Sequence, residues 1–205
     1  TAGHAAEIYN YYKEQGWKYQ QYIACLDPLG EDRGKTPYAL NPEQYGMFLT
    51  ELFNLWYEDW KKGEQPYIRQ FENYIGILLG YQPESCEQRG SCGTQNVVEA
   101  DGSVYPCDFY ALDEYKLGNF NCNRLEEIDK KRKEIAFVEQ SQIVAENCKN
   151  CKFYKICKGG CRRNKDFNAM NGEYENYFCK SYRIFFDICL ERMIQIVEII
   201  KNQKG

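Results

Sequence analysis

Cys148-Lys149-Asn150-Cys151, then Cys157 after five residues and Gly159-Gly160-Cys161, is the stretch that decides how this chain is built. Two thiols separated by two residues in one tight turn can converge on one metal centre, because the intervening amides point at the sulfurs and offset their charge. Gly159 and Gly160 permit close backbone approach or positive φ where a side chain would clash. Cys179 is the natural distant ligand of this knuckle. Upstream, Cys86 and Cys92 precede a hairpin signal and Cys107 ends it, which gathers three more sulfurs at one end of that hairpin. A second site is implied.

Eleven cysteines occur, at positions 25, 86, 92, 107, 122, 148, 151, 157, 161, 179 and 189, and eight of them fall between Cys86 and Cys161. The odd count, the helix-rich remainder and the lack of a secretory signal argue against a disulfide scaffold. His4 is the one histidine, remote in sequence from the cluster, so the sites are all-thiolate or nearly so. Zinc held by two cysteines and two histidines is excluded. Spacing alone serves four-cysteine zinc sites and iron-sulfur clusters equally. With zinc, the chain would be a structural interaction module, and the lysines and aromatics from Lys149 to Lys158 would be its partner surface. A solvated loop is the plainer reading of that run.

The 205 residues suffice for one ordinary domain or two small ones, and 43% apolar content for a sizeable core. A formal charge of −4 leaves no basic field for nucleic acid or an anionic membrane. Apolar runs such as Ile75 to Leu79 are far too short for a bilayer, and a soluble, cytoplasmic protein is expected. Thr1 leads straight into helix-like sequence, so the chain is expected to begin inside a larger protein.

Working outward, Ala5 to Gln15 reads as a helix stopped by Gly16, and Tyr19 to Leu26 as a buried strand closed by Asp27-Pro28. Asn41-Pro42, with Gln44 at the capping-box position, opens a helix to about Lys62 whose inner face is Tyr45, Phe48, Leu49, Leu52, Trp56 and Trp60. Helix, strand, helix suggests the end of an α/β barrel or layered sheet. Beyond Gly63, a boundary near 65 leads to an apolar helical segment through Leu79. Asp101-Gly102 sits between β-type runs, Asn96 to Glu99 and Ser103 to Tyr105, as a hairpin turn. Ser181 to Asn202 reads as a long helix packed through Tyr182, Phe185, Phe186, Cys189, Met193, Ile196 and Ile200.

The series Cys86, Cys92-Gly93, Gly102, Tyr105-Pro106-Cys107-Asp108, Leu117-Gly118-Asn119, Cys148-xx-Cys151, Cys157, Gly159-Gly160-Cys161 and Cys179 resembles the SPASM domain of radical S-adenosylmethionine (SAM) peptide-modifying enzymes. Gly46-Met47-Phe48-Leu49, the Leu79-Gly80 ending and the Cys107-Asp108 pair resemble, within that group, the anaerobic sulfatase-maturating enzymes. This resemblance implies an α/β plus α+β chain. Residues 1–65 would end a partial (β/α)6 radical SAM barrel, and residues 66–205 would form a SPASM domain with a β-hairpin and a long C-terminal helix.

By the same resemblance, one auxiliary [4Fe-4S] cluster is held by Cys86, Cys92, Cys107 and Cys161, and a second by Cys148, Cys151, Cys157 and Cys179. Exchange of a last ligand between adjacent clusters has a parallel in two-cluster ferredoxins. Cys25, Cys122 and Cys189 fall outside the pattern and are expected to be small buried hydrophobes. By sequence alone Asp108 is a turn-capping residue. The family pattern makes it the general base that takes the thiol or hydroxyl proton after a deoxyadenosyl radical has removed a hydrogen atom from Cβ of a target Cys or Ser. The product is Cα-formylglycine in a sulfatase polypeptide, with an electron donor such as flavodoxin or ferredoxin as a second partner. Leu26, otherwise ordinary strand core, matches the family's adenosyl-binding backbone at the last strand. The Cys-x3-Cys-x2-Cys motif for SAM cleavage is missing: Cys157 and Cys161 have its first spacing, but Asn164 stands at the third place. Another SPASM maturase, sharing the clusters but not the base, is the nearest alternative.

Overall fold

The computed structural model describes residues 1–203. Helix α1 (Ala5–Glu14) is followed by β1 (Tyr19–Gln20), α2 (Pro42–Trp60), β2 (Tyr67–Ile68) and α3 (Arg69–Leu78). The α2 start is fixed by Asn41, whose side-chain oxygen accepts from the Gln44 amide at 2.9 Å, with Pro42 in the first turn; such a cap contributes about 1 kcal/mol. Strands β1 and β2 pair in parallel, Tyr19 with Tyr67 and Gln20 with Ile68.

The expected buried strand from Tyr19 to Leu26 is corrected by this pairing, which covers Tyr19 and Gln20 alone. From Gln21 to Leu26 the side chains alternate, with Tyr22, Ala24 and Leu26 turned inward and Gln21, Ile23 and Cys25 exposed. The period is that of a strand, and one face lies open among the described residues.

A short helix, α4 (Cys86–Arg89), leads to a small antiparallel sheet of β3 (Val97–Val98), β4 (Ser103–Tyr105) and β5 (Gly118–Asn119). Val97 faces Tyr105 and Val104 faces Gly118. Val104, Leu117 and Ile128 form a minor core beneath that sheet. The rest comprises α5 (Leu125–Glu134), α6 (Phe137–Ser141), α7 (Glu146–Lys149), α8 (Tyr154–Cys157), the antiparallel pair β6 (Lys165–Asn168) and β7 (Glu173–Asn176), and the long α9 (Cys179–Gln203).

The main core joins both ends of the chain. Helix α9 packs its Tyr182, Phe185, Phe186, Cys189, Met193 and Ile196 against α2, and Phe53 meets Phe71 and Phe185 edge-on at 5.2 and 5.9 Å. Aromatic pairs at these distances add about 0.5–1.5 kcal/mol each beyond area burial. Phe153 and Ile156 belong to the same core, with Cys151 and Cys157 packed against it. The cysteine knuckle is therefore fastened to the body of the protein by its own apolar residues.

Candidate metal centres and the adjoining cavity

Cys148 lies in α7, Cys151 just beyond it, Cys157 at the end of α8 and Cys179 at the start of α9. All four line one cavity of about 400 Å3, together with Tyr182 and Gly159. Cys161 sits four residues past Cys157 yet faces other thiols: Cys86 and Cys92 bear on it, Cys86 on Cys92, and Cys92 on Cys107. Cys86, Cys92, Cys107 and Cys161 are thus neighbours outside that cavity.

The crossing of Cys161 has a local cause. Gly90, at φ +71 between Cys86 and Cys92, lies so close to the Lys158 backbone that a Cβ there would stand 2.3 Å from the carbonyl oxygen. Gly160, at φ +72, leaves equally little room beside Asn176, whose Nδ2 donates to the Gly159 carbonyl at 2.9 Å. Gly90 lets the Cys86–Cys92 loop touch the Lys158 backbone of the Cys157–Cys161 loop, and Gly160 lets the latter pass close to Asn176.

Burial, and next the Asp108 carboxylate, pushes the Cys107 thiol up to about 12; burial raises Cys157 and Cys161 to about 12 as well. Crowded neutral thiols of this kind become ligands by releasing protons to a cation. Among the described residues no three His, Cys, Asp or Glu side chains close on a single-ion site. Purely thiol donors suit a multi-iron cluster.

Of the remaining cysteines, Cys189 is buried in the core, whereas Cys25 and Cys122 are exposed. The expectation of burial is corrected for both: Cys25 falls on the open face of the extended segment, and Cys122 follows the turn after β5.

A second cavity, about 510 Å3, is lined by Cys25, Leu26 and Asp27 on one side, by Asp108, Phe109 and Leu112 on another, and by Arg163. Leu26 and Asp108, 82 residues apart in sequence, thus share one space. Asp108 begins a short helical turn after Cys107 and accepts a hydrogen bond from that thiol at 3.1 Å. Phe109, Leu112 and Ile23 are all substantially exposed and give the cavity an apolar rim.

Residues 86–152 match the SPASM family model, an iron-sulfur cluster-binding domain. A cysteine-type anaerobic sulfatase-maturating enzyme of Clostridium perfringens (strain 13 / Type A) is 45% identical over 201 residues, 98% of this chain and 54% of that protein. Over nearly its whole length the chain is similar to part of the anaerobic sulfatase-maturating enzymes. It spans about half the length of the curated relatives it matches. A serine-type anaerobic sulfatase-maturating enzyme of Bacteroides thetaiotaomicron is 29% identical over 222 residues, covering 100% of the chain and 53% of the relative. The solved structure of native anSMEcpe with bound AdoMet and Cp18Cys peptide superposes with a TM-score of 0.89 at 42% identity, covering 98% of this chain and 56% of that one.

The SPASM match contains Cys86, Cys92, Cys107, Cys148 and Cys151, while Cys157, Cys161 and Cys179 lie beyond it and join by folding. Three cations escaped the sequence reading. Arg162 packs over Phe137 and Tyr110 at 4.4 and 5.3 Å and donates to the Phe137 carbonyl at 2.7 Å. The buried Arg163 donates to the Asp27 carbonyl, and Lys165 donates to the carbonyls of Ser141 and Ile143. The run of basic residues directly after Cys161, Arg162, Arg163 and Lys165, is the signal that could have found them. No helix among the described residues is long and apolar enough to cross a membrane.

Proposed function

We propose that this chain is the half of a sulfatase-maturating oxidoreductase that holds the auxiliary clusters and the general base, and that the whole protein oxidises a Cys or Ser of a sulfatase polypeptide to Cα-formylglycine. Residues 1–65 would complete a radical SAM barrel and residues 66–205 would form the SPASM domain. Cys86, Cys92, Cys107 and Cys161 would hold one [4Fe-4S] cluster, and Cys148, Cys151, Cys157 and Cys179 the other. The observation that carries this reading is the single cavity lined by Leu26, Asp108 and Arg163 next to Cys107.

Bound SAM with its own cluster supplies hydrogen-atom abstraction at Cβ, and the auxiliary clusters supply an acceptor for the remaining electron. This chain's residues do the rest. Exposed Phe109, Leu112 and Ile23 would exclude water along the peptide, and the Leu26 backbone would hold the adenosyl group. The Asp108 carboxylate takes the thiol or hydroxyl proton. Held as an iron ligand, Cys107 would lack the thiol proton that Asp108 accepts here, and both carboxylate oxygens would be free for substrate. Loss of one hydrogen atom, one proton and one electron turns a serine side chain into an aldehyde. From cysteine the same loss gives a thioaldehyde, which water converts to the aldehyde with release of hydrogen sulfide. Flavodoxin or ferredoxin suits the role of electron donor.

Asp108→Asn in the full-length protein tests the assignment. Deoxyadenosine should still form while formylglycine, scored by peptide mass, falls by at least about 100-fold, the scale of a lost general base. Undiminished formylglycine would remove Asp108 from the reaction.

A further inference from the structure

Lys165 opens β6, four residues beyond Cys161, and its side chain is half-buried. Its ammonium donates to the carbonyl oxygens of Ser141 at 3.1 Å and Ile143 at 3.3 Å. The same Ser141 accepts the Cys92 amide on its hydroxyl at 2.8 Å. Across the β6–β7 pair Lys165 stands opposite Asn176, which lines the cavity of Cys148, Cys151, Cys157 and Cys179. One cation stands between both donor sets.

We propose that Lys165 places a positive charge shared by the two clusters and raises the reduction potential of both. The inference rests on the two-cluster reading above. A four-thiolate iron-sulfur cluster gains negative charge on reduction, and its potential is set by net charge and by nearby hydrogen-bond donors. A half-buried cation acts through a lower effective dielectric than water provides. It therefore favours the reduced state of whichever cluster holds the electron. The competing role is mechanical, with Lys165 simply tying down the loop after α6 through the two carbonyls. Glutamine retains a donor for that loop without the charge, and arginine retains the charge.

The test is redox titration of the full-length, anaerobically reconstituted protein, followed by electron paramagnetic resonance. Signals that do not respond to added SAM report the auxiliary clusters. Iron and sulfide analysis of the unaltered protein first checks the two-cluster reading on its own: absence of iron there defeats that reading, and Lys165 falls with it. With iron present, Lys165→Gln should shift both auxiliary midpoints to more negative potentials, and Lys165→Arg should leave them near the parent values. Loss of iron in Lys165→Gln but not in Lys165→Arg also supports a role for the charge. Unmoved midpoints in Lys165→Gln, a shift confined to one cluster, or iron loss in both variants would overturn the inference.

Discussion

The guanidinium of Arg163 donates a hydrogen bond to the backbone carbonyl of Asp27, across 136 residues of sequence. One end of this bond lies two residues past Cys161 and the other one residue past Leu26, so the segment after Cys161 is tied directly to the edge of the cavity that Leu26 and Asp108 share. Arg33 reinforces the tie. It grips Asp166 with Nε at 2.9 Å and Nη2 at 2.7 Å, and donates to the Arg163 carbonyl at 3.1 Å. Replacing Arg163 by Met should cost about 1.5–3 kcal/mol, the range for a hydrogen bond to a charged group. A lowered thermal midpoint together with reduced formylglycine yield is expected. Arg163→Lys should recover stability better than turnover, because an ammonium cannot reproduce the planar fork.

Asp27 itself predicts a pH dependence. Its carboxylate accepts from the Thr36 amide and hydroxyl, both at 2.8 Å, and from the Gly34 amide at 2.7 Å. The Thr36 amide, first among these bonds, holds its pKa down to about 2. A depressed carboxylate contributes stability that is complete above its unfolded value, about 3.9, and is lost as pH falls toward the folded one. Limited proteolysis of the metal-free full chain should thus show the loop from 28 to 36 opening between about pH 4 and pH 2. In Asp27→Asn the loop should be weakened at neutral pH and lack that transition. A transition of the same size in the variant would assign it to another group.

The helices were legible because each carries its own start, stop and face. Asn41-Pro42 marks one start, and the Phe185, Cys189, Met193, Ile196 stripe names its own partner. The extended segment after Tyr19 was misread as buried because alternation at Tyr22, Ala24 and Leu26 fixes which side chains share a face, not what covers the other face. At the site, the thiol residue types were plain, but their grouping was not. Sequence proximity would place Cys161 with Cys157, and the crossing depends on a backbone contact between Gly90 and Lys158 that no local pattern encodes. Arg163 and Lys165 escaped for the same reason, since their partners lie in distant segments.

Glycine substitutions should rank by what surrounds them. In Gly90→Ala the new methyl would stand 2.3 Å from a backbone carbonyl oxygen that cannot rotate away. In Gly160→Ala it meets the Asn176 amide, a side chain that can yield at the expense of its bond to Gly159. Gly159 has φ +82 but open space, so Gly159→Ala carries the backbone penalty alone, about 1–2 kcal/mol. Iron retained after reconstitution should fall in the order Gly159→Ala, Gly160→Ala, Gly90→Ala, with the last poorest. Equal retention in all three would mean the loops do not meet as described.

The division of the thiols can be tested one sulfur at a time. Cys161→Ala should abolish the cluster assigned to Cys86, Cys92 and Cys107 and spare the other, although its nearest cysteine in sequence is Cys157. Cys179→Ala should do the reverse. Each single variant is therefore expected to lose about four irons per chain, the content of one [4Fe-4S] cluster, while the double variant loses twice that. Cys25→Ala and Cys122→Ala, exposed and outside both groups, should lose none. If Cys161→Ala instead erased the same signal as Cys179→Ala, the two residues would serve one cluster, and the backbone contact at Gly90 would need another purpose.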